Sequence, residues 1–165
     1  MNTTQRKELW LQFGAAIDMF ERAVRHCSQQ YWDDDSKFWY VAYHTLFYLD
    51  YYLDEDSDSF RPPEPFSLSE FDEEGALPER TYTKDELLRY LEHCRAKCRA
   101  LISGLDDVNE QKRFINPYRN SSRFEILLYN MRHVQHHTAQ LNLFLRMKMN
   151  EAPDWVSRTK AGLEG

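Results

Sequence analysis

The chain has 165 residues, a formal net charge of −6, 15% aromatic and 29% charged residues. This length predicts one domain, and the composition is that of a folded chain with only 5 Gly and 6 Pro, too few for a turn-dense β architecture. An acidic chain without a basic patch argues against a nucleic-acid partner, and no apolar run reaches the ~20 residues of a membrane span. Three Cys and an N-terminus without an apolar stretch favour a reduced, cytoplasmic location.

Four long segments have apolar side chains spaced by three or four residues, which is typical of helices. They span about 4–29, 36–54, 83–105 and 121–150. The third begins with a capping-box sequence, Thr83 to Glu86, and has Gly104 near its end. The predicted fold is an all-α four-helix bundle over residues 1–150, followed by a C-terminal surface tail over 151–165.

The second and third helices are joined by a long connection, about 55–82, that is rich in proline and strongly acidic. From Asp54 to Glu74, nine carboxylates accompany a single arginine. A loop of this length in a compact domain is usually functional or mobile. Two interpretations stay open: the loop edges the entrance of a binding site, or it is solvated and unconstrained. A second interruption, Asn116-Pro117, breaks the helical pattern before the fourth helix.

Three of the six histidines lie in one five-residue stretch of the fourth predicted helix, residues 133–137. At ~100° per residue, His133 and His137 straddle the centre of the apolar face of this helix. Imidazoles directed into a core need partners because unpaired buried polar groups are costly. At this spacing the two rings can share one metal ion. His136 lies at the edge of the apolar stripe and is predicted to be a packing or interface residue.

A third histidine, His44, lies midway along the second predicted helix, which is apolar or aromatic nearly all round. Three neutral imidazoles with one position left for water or substrate are typical of catalytic rather than closed structural metal sites. We therefore predict one divalent metal ion bound by His44, His133 and His137. For each histidine alone, the alternative is a hydrogen-bonded core residue. Imidazole suits Zn, Ni, Cu or Fe, so the sequence does not select the ion.

Four further side chains are candidates for the surroundings of the ion, from their angular positions on the helices. They are Tyr48, Tyr51, Asn130 and Gln140. Asp50 is predicted to point away from the site. A zincin is excluded because Val134 follows the first histidine where glutamate is required. The Glu-x-x-His pairs of a di-iron bundle are absent from the sequence.

The second predicted helix has more apolar surface than one bundle covers. Trp39, Leu46 and Leu53 lie on the side opposite His44 and are expected to face solvent in a monomer. This arc predicts a symmetric homodimer that buries it. The alternative is that the Pro-rich connection folds back over the same surface.

The histidine motifs resemble those of the DinB/YfiT-like superfamily over about residues 1–150. The resemblance rests on the histidine within AYHTLFYLDYYL and on the HxxxHxxQ motif that runs from His133 to Gln140; Ala139 stands where the family frequently has Gly. The resemblance implies a four-helix bundle, usually dimeric, that holds zinc, nickel or a similar divalent ion. It assigns the ion to His44, His133 and His137 and the family's usual glutamine to Gln140.

The resemblance also implies a range of functions. Some relatives transfer low-molecular-weight thiols, so a small-thiol S-transferase acting on an electrophilic small molecule is the expected metal-dependent enzyme. Two alternatives stay open: a non-catalytic metal-binding or stress-related interaction protein, and a metal-dependent hydrolase. Neither nucleic acid nor a membrane is an expected partner, and no catalytic residue is assigned beyond the metal ligands.

Overall fold

Four long helices form a bundle in the computed structural model, which describes residues 1–164. They are α1 (Thr3–His26), α3 (Phe38–Tyr52), α4 (Lys84–Ser103) and α5 (Arg123–Met149); a short helix, α2 (Gln29–Trp32), lies between the first two. α1 and α3 each pack against both α4 and α5. The predicted all-α fold is confirmed. Over the part of the chain described, no helix combines the length and hydrophobicity needed to cross a membrane.

The long helices begin where local hydrogen bonds satisfy their first backbone N–H groups. Before α1, the Asn2 side chain accepts from Gln5 N at 3.0 Å, and the Gln5 side chain accepts from Asn2 N at 2.9 Å. The predicted capping box is present before α4: Thr83 Oγ1 accepts from Glu86 N at 3.2 Å, and Glu86 Oε2 accepts from Thr83 N at 2.8 Å. Ser122 caps α5. These reciprocal bonds satisfy donors that have no partner inside the helix.

The prediction that one arc of the second long helix faces solvent is wrong, because other parts of the chain bury this arc. Trp39, Leu46 and Leu53 are 3%, 0% and 1% exposed. The Trp39 ring meets the Tyr82 ring edge-on at 6.0 Å, and Leu46 lies on the side of α3 that packs against α4, where its carbonyl accepts from Cys94. The arc therefore gives no support for a homodimer. The dimer stays a prediction, and a mass that rises with concentration in sedimentation is its test.

The connection between α3 and α4 is anchored on the bundle by aromatic side chains. The Phe66 ring stacks on Tyr90 of α4 with centroids 4.4 Å apart. The Tyr43 hydroxyl of α3 donates to the Ser67 carbonyl at 2.6 Å. A single 3-10 turn, Ser69–Phe71, follows these anchors. The loop is therefore constrained by contacts with α3 and α4. Of the arc that the alternative expected it to cover, it contacts Trp39 through Tyr82, whereas Leu46 is covered by α4.

A two-stranded antiparallel hairpin, which the sequence patterns do not predict, precedes α5. Its strands are β1 (Arg113–Asn116) and β2 (Arg119–Ser122), and Asn116 pairs with Arg119. Asn116 Oδ1 accepts from Tyr118 N at 2.9 Å. This hydrogen bond closes a turn of the kind that Asn and Pro favour. The helix-breaking Asn116-Pro117 dipeptide therefore marks a hairpin turn. Strands of four residues are too short to show a clear alternation of apolar and polar residues.

The C-terminal segment after α5 runs along α1. Thr159 N donates to the Leu11 carbonyl at 3.0 Å, and Trp10 Nε1 donates to the Ala161 carbonyl at 2.8 Å. Gly14 allows this close approach, since a β-carbon there would lie 2.6 Å from the Thr159 methyl group. The last residue of the predicted tail, 165, lies outside the described residues.

Candidate metal centre

Three histidines from two helices converge at one point of the bundle. His44 comes from the middle of α3, and His133 and His137 lie one turn apart on α5, which packs against α3. The ring centroid of His44 is 5.5 Å from that of His133 and 4.7 Å from that of His137. The two α5 rings are 4.5 Å apart. One ring nitrogen of each residue lies within 4.8 Å of the others, so the structure brings all three predicted ligands together.

Two of the three imidazoles are oriented by hydrogen bonds at Nδ1. His44 Nδ1 lies 2.6 Å from Oε2 of Glu70, and His137 Nδ1 lies 2.7 Å from Oε1 of Gln140. Since carboxylate and amide oxygens accept, each Nδ1 is the donor of its hydrogen bond, and Nε2 is the nitrogen left to bind an ion. The buried Nδ1 of His133 has no hydrogen-bond partner among residues 1–164.

Burial keeps the two α5 imidazoles in the neutral form. Burial, followed by the neighbouring His137 and His44, lowers the pKa of His133 to about 3. Burial also lowers the pKa of His137, although the hydrogen bond with Gln140 acts in the opposite direction. Only a neutral imidazole offers a lone pair to a metal ion. At neutral pH both rings are therefore in the form that a ligand requires.

A cavity of about 640 Å³ opens onto the three imidazoles. Its walls come from α3, α5, the 3-10 turn and the tip of the hairpin. Six of the fifteen lining residues are tyrosine or phenylalanine: Tyr48, Tyr51, Tyr52, Phe71, Tyr118 and Tyr129. The predicted candidates Tyr48 and Tyr51 are both among these residues, and the Tyr48 hydroxyl donates to the Glu70 carbonyl at 3.1 Å. The volume, and the combination of aromatic rings with polar groups on the walls, are typical of a small-molecule site.

The two polar candidates on α5 lie in different surroundings. Gln140 is solvent-exposed but bonds the His137 ring. Asn130 is fully buried and does not line the cavity. Its Nδ2 donates to the Leu49 carbonyl of α3 at 2.9 Å, so the amide joins two helices instead of facing the ion. His136 is exposed beside His137, with ring centroids 5.0 Å apart.

Glu70 is a site residue that the sequence patterns do not single out. It is one of nine carboxylates between Asp54 and Glu74, yet its side chain is only 4% exposed and bonds His44. Its neighbours Asp72 and Glu73 are exposed. No local spacing separates this carboxylate from the others, because its partner lies on another element.

Arg119 is a second lining residue that sequence reasoning missed. It lies at the start of β2, next to the hairpin turn, and its guanidinium is 3.6 Å from the centre of the Tyr129 ring. The cavity is lined by both residues. The signal that could have drawn attention to it is the turn sequence Asn116-Pro117, which places the following residue on a hairpin.

The donor set fits a divalent transition-metal ion. Three imidazoles converge, a buried ring nitrogen lacks a partner, and a cavity leaves room for a further ligand. Imidazole is a suitable ligand for Zn, Ni, Cu and Fe. His44, His133 and His137 would hold the ion, with Glu70 and Gln140 orienting two of the rings. The fold and the site define a helical bundle with a three-histidine candidate metal centre of the open type.

The chain belongs to the DinB superfamily. The model of that superfamily matches residues 12–141, a range that includes all three histidines. No match was found among curated proteins or among solved structures. The predicted family is confirmed. Since relatives that share a fold differ in their chemistry, the reaction must be argued from the site.

Proposed function

We propose that this protein is a metal-dependent enzyme that transfers a small thiol to an electrophilic substrate. The observation that carries the proposal is the convergence of three imidazoles on the wall of an aromatic cavity of about 640 Å³. A purely structural metal site is normally closed by four protein ligands and needs no such space. The cavity therefore favours a catalytic site over a non-catalytic metal-binding protein.

An ion held by His44, His133 and His137 would supply a positive charge that lowers the pKa of a thiol bound beside it. The thiol proton leaves to solvent through the cavity mouth. The sulfur then attacks the electrophile: a carbon–sulfur bond forms, and the leaving group departs with the electron pair of the bond that breaks.

The side chains around the histidines orient the ligands and shield the reacting atoms. Glu70 holds the proton on Nδ1 of His44, and Gln140 does the same for His137. Each Nε2 therefore points its lone pair at the same site. Tyr48 and Tyr51 supply apolar ring surface for the electrophile and reduce access of water.

Thiol transfer demands less of the acidic groups near the site than hydrolysis does. A hydrolase that activates water commonly has a free base beside it. Oε2 of Glu70 is bonded to His44, whereas its Oε1 is buried without a partner. One oxygen of Asp72 accepts from the backbone of Glu74 and of Ala76. Glu73 is exposed. A thiol that ionises next to the ion needs no such base.

The proposal is tested by titrating small thiols into cobalt-substituted protein and recording the visible spectrum. We expect thiols to change the spectrum of the wild type and of His136→Ala, which alters an exposed neighbour, but to have no effect on His44→Ala. Model electrophiles added next should give thioether products by mass spectrometry, again only with His44 present. If no thiol perturbs the cobalt spectrum, thiol transfer is wrong and metal binding or hydrolysis is favoured.

The proposed ion is zinc or nickel, since imidazole suits both. Elemental analysis of the purified protein identifies it. The three cysteines, Cys27, Cys94 and Cys98, are buried and form no disulfide. Free buried thiols support a reducing compartment, and the cytoplasm is our proposal for the location.

A further inference from the structure

A cationic group and the three histidines lie at the two ends of a chain of aromatic contacts along the cavity wall. The Arg119 guanidinium is 3.6 Å from the Tyr129 ring centre. Tyr129 meets Tyr52 edge-on at 5.2 Å, and Tyr52 meets His133 edge-on at 6.0 Å. Two aromatic rings therefore connect the guanidinium to the imidazoles. A ligand that touches both ends must be several bonds long.

Arg119 is half-buried, yet no acceptor from residues 1–164 bonds its guanidinium. Arg95, which is also half-buried, shows the usual arrangement: it donates to Asp18 and Glu21 at 2.5 Å each. A partly desolvated guanidinium without an acceptor favours the binding of an anion. The planar group matches a carboxylate, to which it can donate two parallel hydrogen bonds.

The hairpin holds Arg119 in place. Its pairing partner Asn116 donates from Nδ2 to the Tyr51 hydroxyl of α3 at 3.2 Å. The Ser57 hydroxyl donates to the Ile115 carbonyl and ties β1 to the acidic connection. The Tyr129 ring supports the flat face of the guanidinium. The donor atoms are therefore positioned before a ligand arrives, which reduces the entropy cost of binding.

We infer that Arg119 is a carboxylate-binding residue and that the cavity takes a small, flexible organic acid whose other end reaches the histidines. Among the described lining residues, Arg119 is the only arginine or lysine, and Glu70, Asp72 and Glu73 are acidic. The inference rests on the proposed function in one respect: the group of the ligand that reaches the histidines is then a thiol. The substrate class is then a thiol that carries a carboxylate several bonds from its sulfur.

The test compares ω-mercaptocarboxylates of increasing chain length with the matching ω-mercaptoalcohols on cobalt-substituted protein. Once the chain spans the cavity, the acid should bind wild type roughly tenfold to a hundredfold more tightly than the alcohol, as expected for a charge-assisted hydrogen-bonded pair. Arg119→Gln should abolish this preference while the alcohol still changes the cobalt spectrum. Arg132→Gln, which removes the same charge from an exposed site outside the cavity, should keep the preference.

A second pair of ligands separates this inference from the proposed function. Plain alkanoates and alkanols of the same lengths, measured by calorimetry, report on Arg119 even if no thiol perturbs cobalt. Equal binding of acid and alcohol by wild type overturns the inference, and so does a preference that survives Arg119→Gln. If that variant does not fold, Arg119→Lys replaces it: the preference must then decrease, because lysine lacks the planar pair of donors, and an undiminished preference overturns the inference.

Discussion

Helix α3 contributes to two polar clusters inside the protein, and they differ in how many of their polar atoms have a hydrogen-bond partner. In the first, Asp50 is 0% exposed, and its two carboxylate oxygens accept from Lys97 at 2.6 Å and from Tyr90 at 3.1 Å. The Lys97 ammonium also donates to the Asp50 carbonyl at 3.2 Å and to Asp54 at 2.8 Å. All three of its donors are used. This cluster, the Asp50 cluster, is closed.

The histidine cluster, formed by His44, His133, His137 and Glu70, is open by comparison. The Nδ1 of His133 lacks a partner, and one oxygen of Glu70 is also buried without one. All four residues line the cavity. A closed network stabilises the fold, whereas an open one keeps its binding capacity for a ligand. The contrast predicts that changes in the first affect stability and that changes in the second affect metal binding.

Removing both α5 ligands should have the largest effect. We expect His133→Ala/His137→Ala to lose bound metal entirely in elemental analysis, because a single imidazole remains. The metal-free variant should keep a helical circular dichroism spectrum. His136→Ala serves as the matched control with normal metal content. Undiminished metal in the double variant would end the three-histidine hypothesis.

Breaking the Asp50 cluster should cost the most stability. Asp50→Ala leaves the buried Tyr90 hydroxyl without an acceptor and leaves the half-buried Lys97 ammonium with Asp54 as its one carboxylate partner. We expect a loss of about 2–3 kcal/mol in the free energy of unfolding by urea denaturation. Asp50→Ala/Lys97→Met should recover part of this loss, since the half-buried ammonium is removed as well. Metal content should stay normal in whatever fraction remains folded. A cost below about 1 kcal/mol would mean that the network is not satisfied in solution.

Neutralising the carboxylate behind His44 should weaken metal binding without removing it. Glu70→Gln keeps the shape but makes the group a weaker acceptor for Nδ1–H. We expect metal affinity to fall roughly 10- to 100-fold in competition with a chelator. Glu73→Gln removes the same charge from an exposed lining residue, so it should bind metal as the wild type does. Equal affinity of the two variants would show that Glu70 does not orient His44.

The smallest expected effect is a pH dependence of the metal-free protein. The pKa of His133 in the folded state is about 3, below its ordinary value near 6.5, so the unfolded chain takes up the proton first. Stability is therefore full above about pH 6.5 and is lost as the pH falls, by about 1–2 kcal/mol at pH 5. His133→Gln should flatten this slope, and His136→Gln should not. An identical slope in both variants would contradict the burial of a neutral His133.

Local chemistry made much of the fold and part of the site predictable from the sequence. The capping box at Thr83 and the long helices follow from contacts three or four residues apart, which the chain order itself specifies. The same rule placed His133 and His137 together on one face. His44 was predicted as their partner because a histidine inside so apolar a helix needs a polar ligand or partner.

Contacts between distant residues were decided only by the tertiary structure. Glu70 meets His44 across 26 residues of sequence, and nothing in the acidic loop distinguishes it from the other carboxylates. Trp39 was expected to face solvent, yet helix packing and the returning loop bury it. Arg119 reaches the cavity through a hairpin too short to be recognised from its pattern. Periodicity tells which face of a helix is apolar, but the element that covers this face depends on how the bundle and its loops pack.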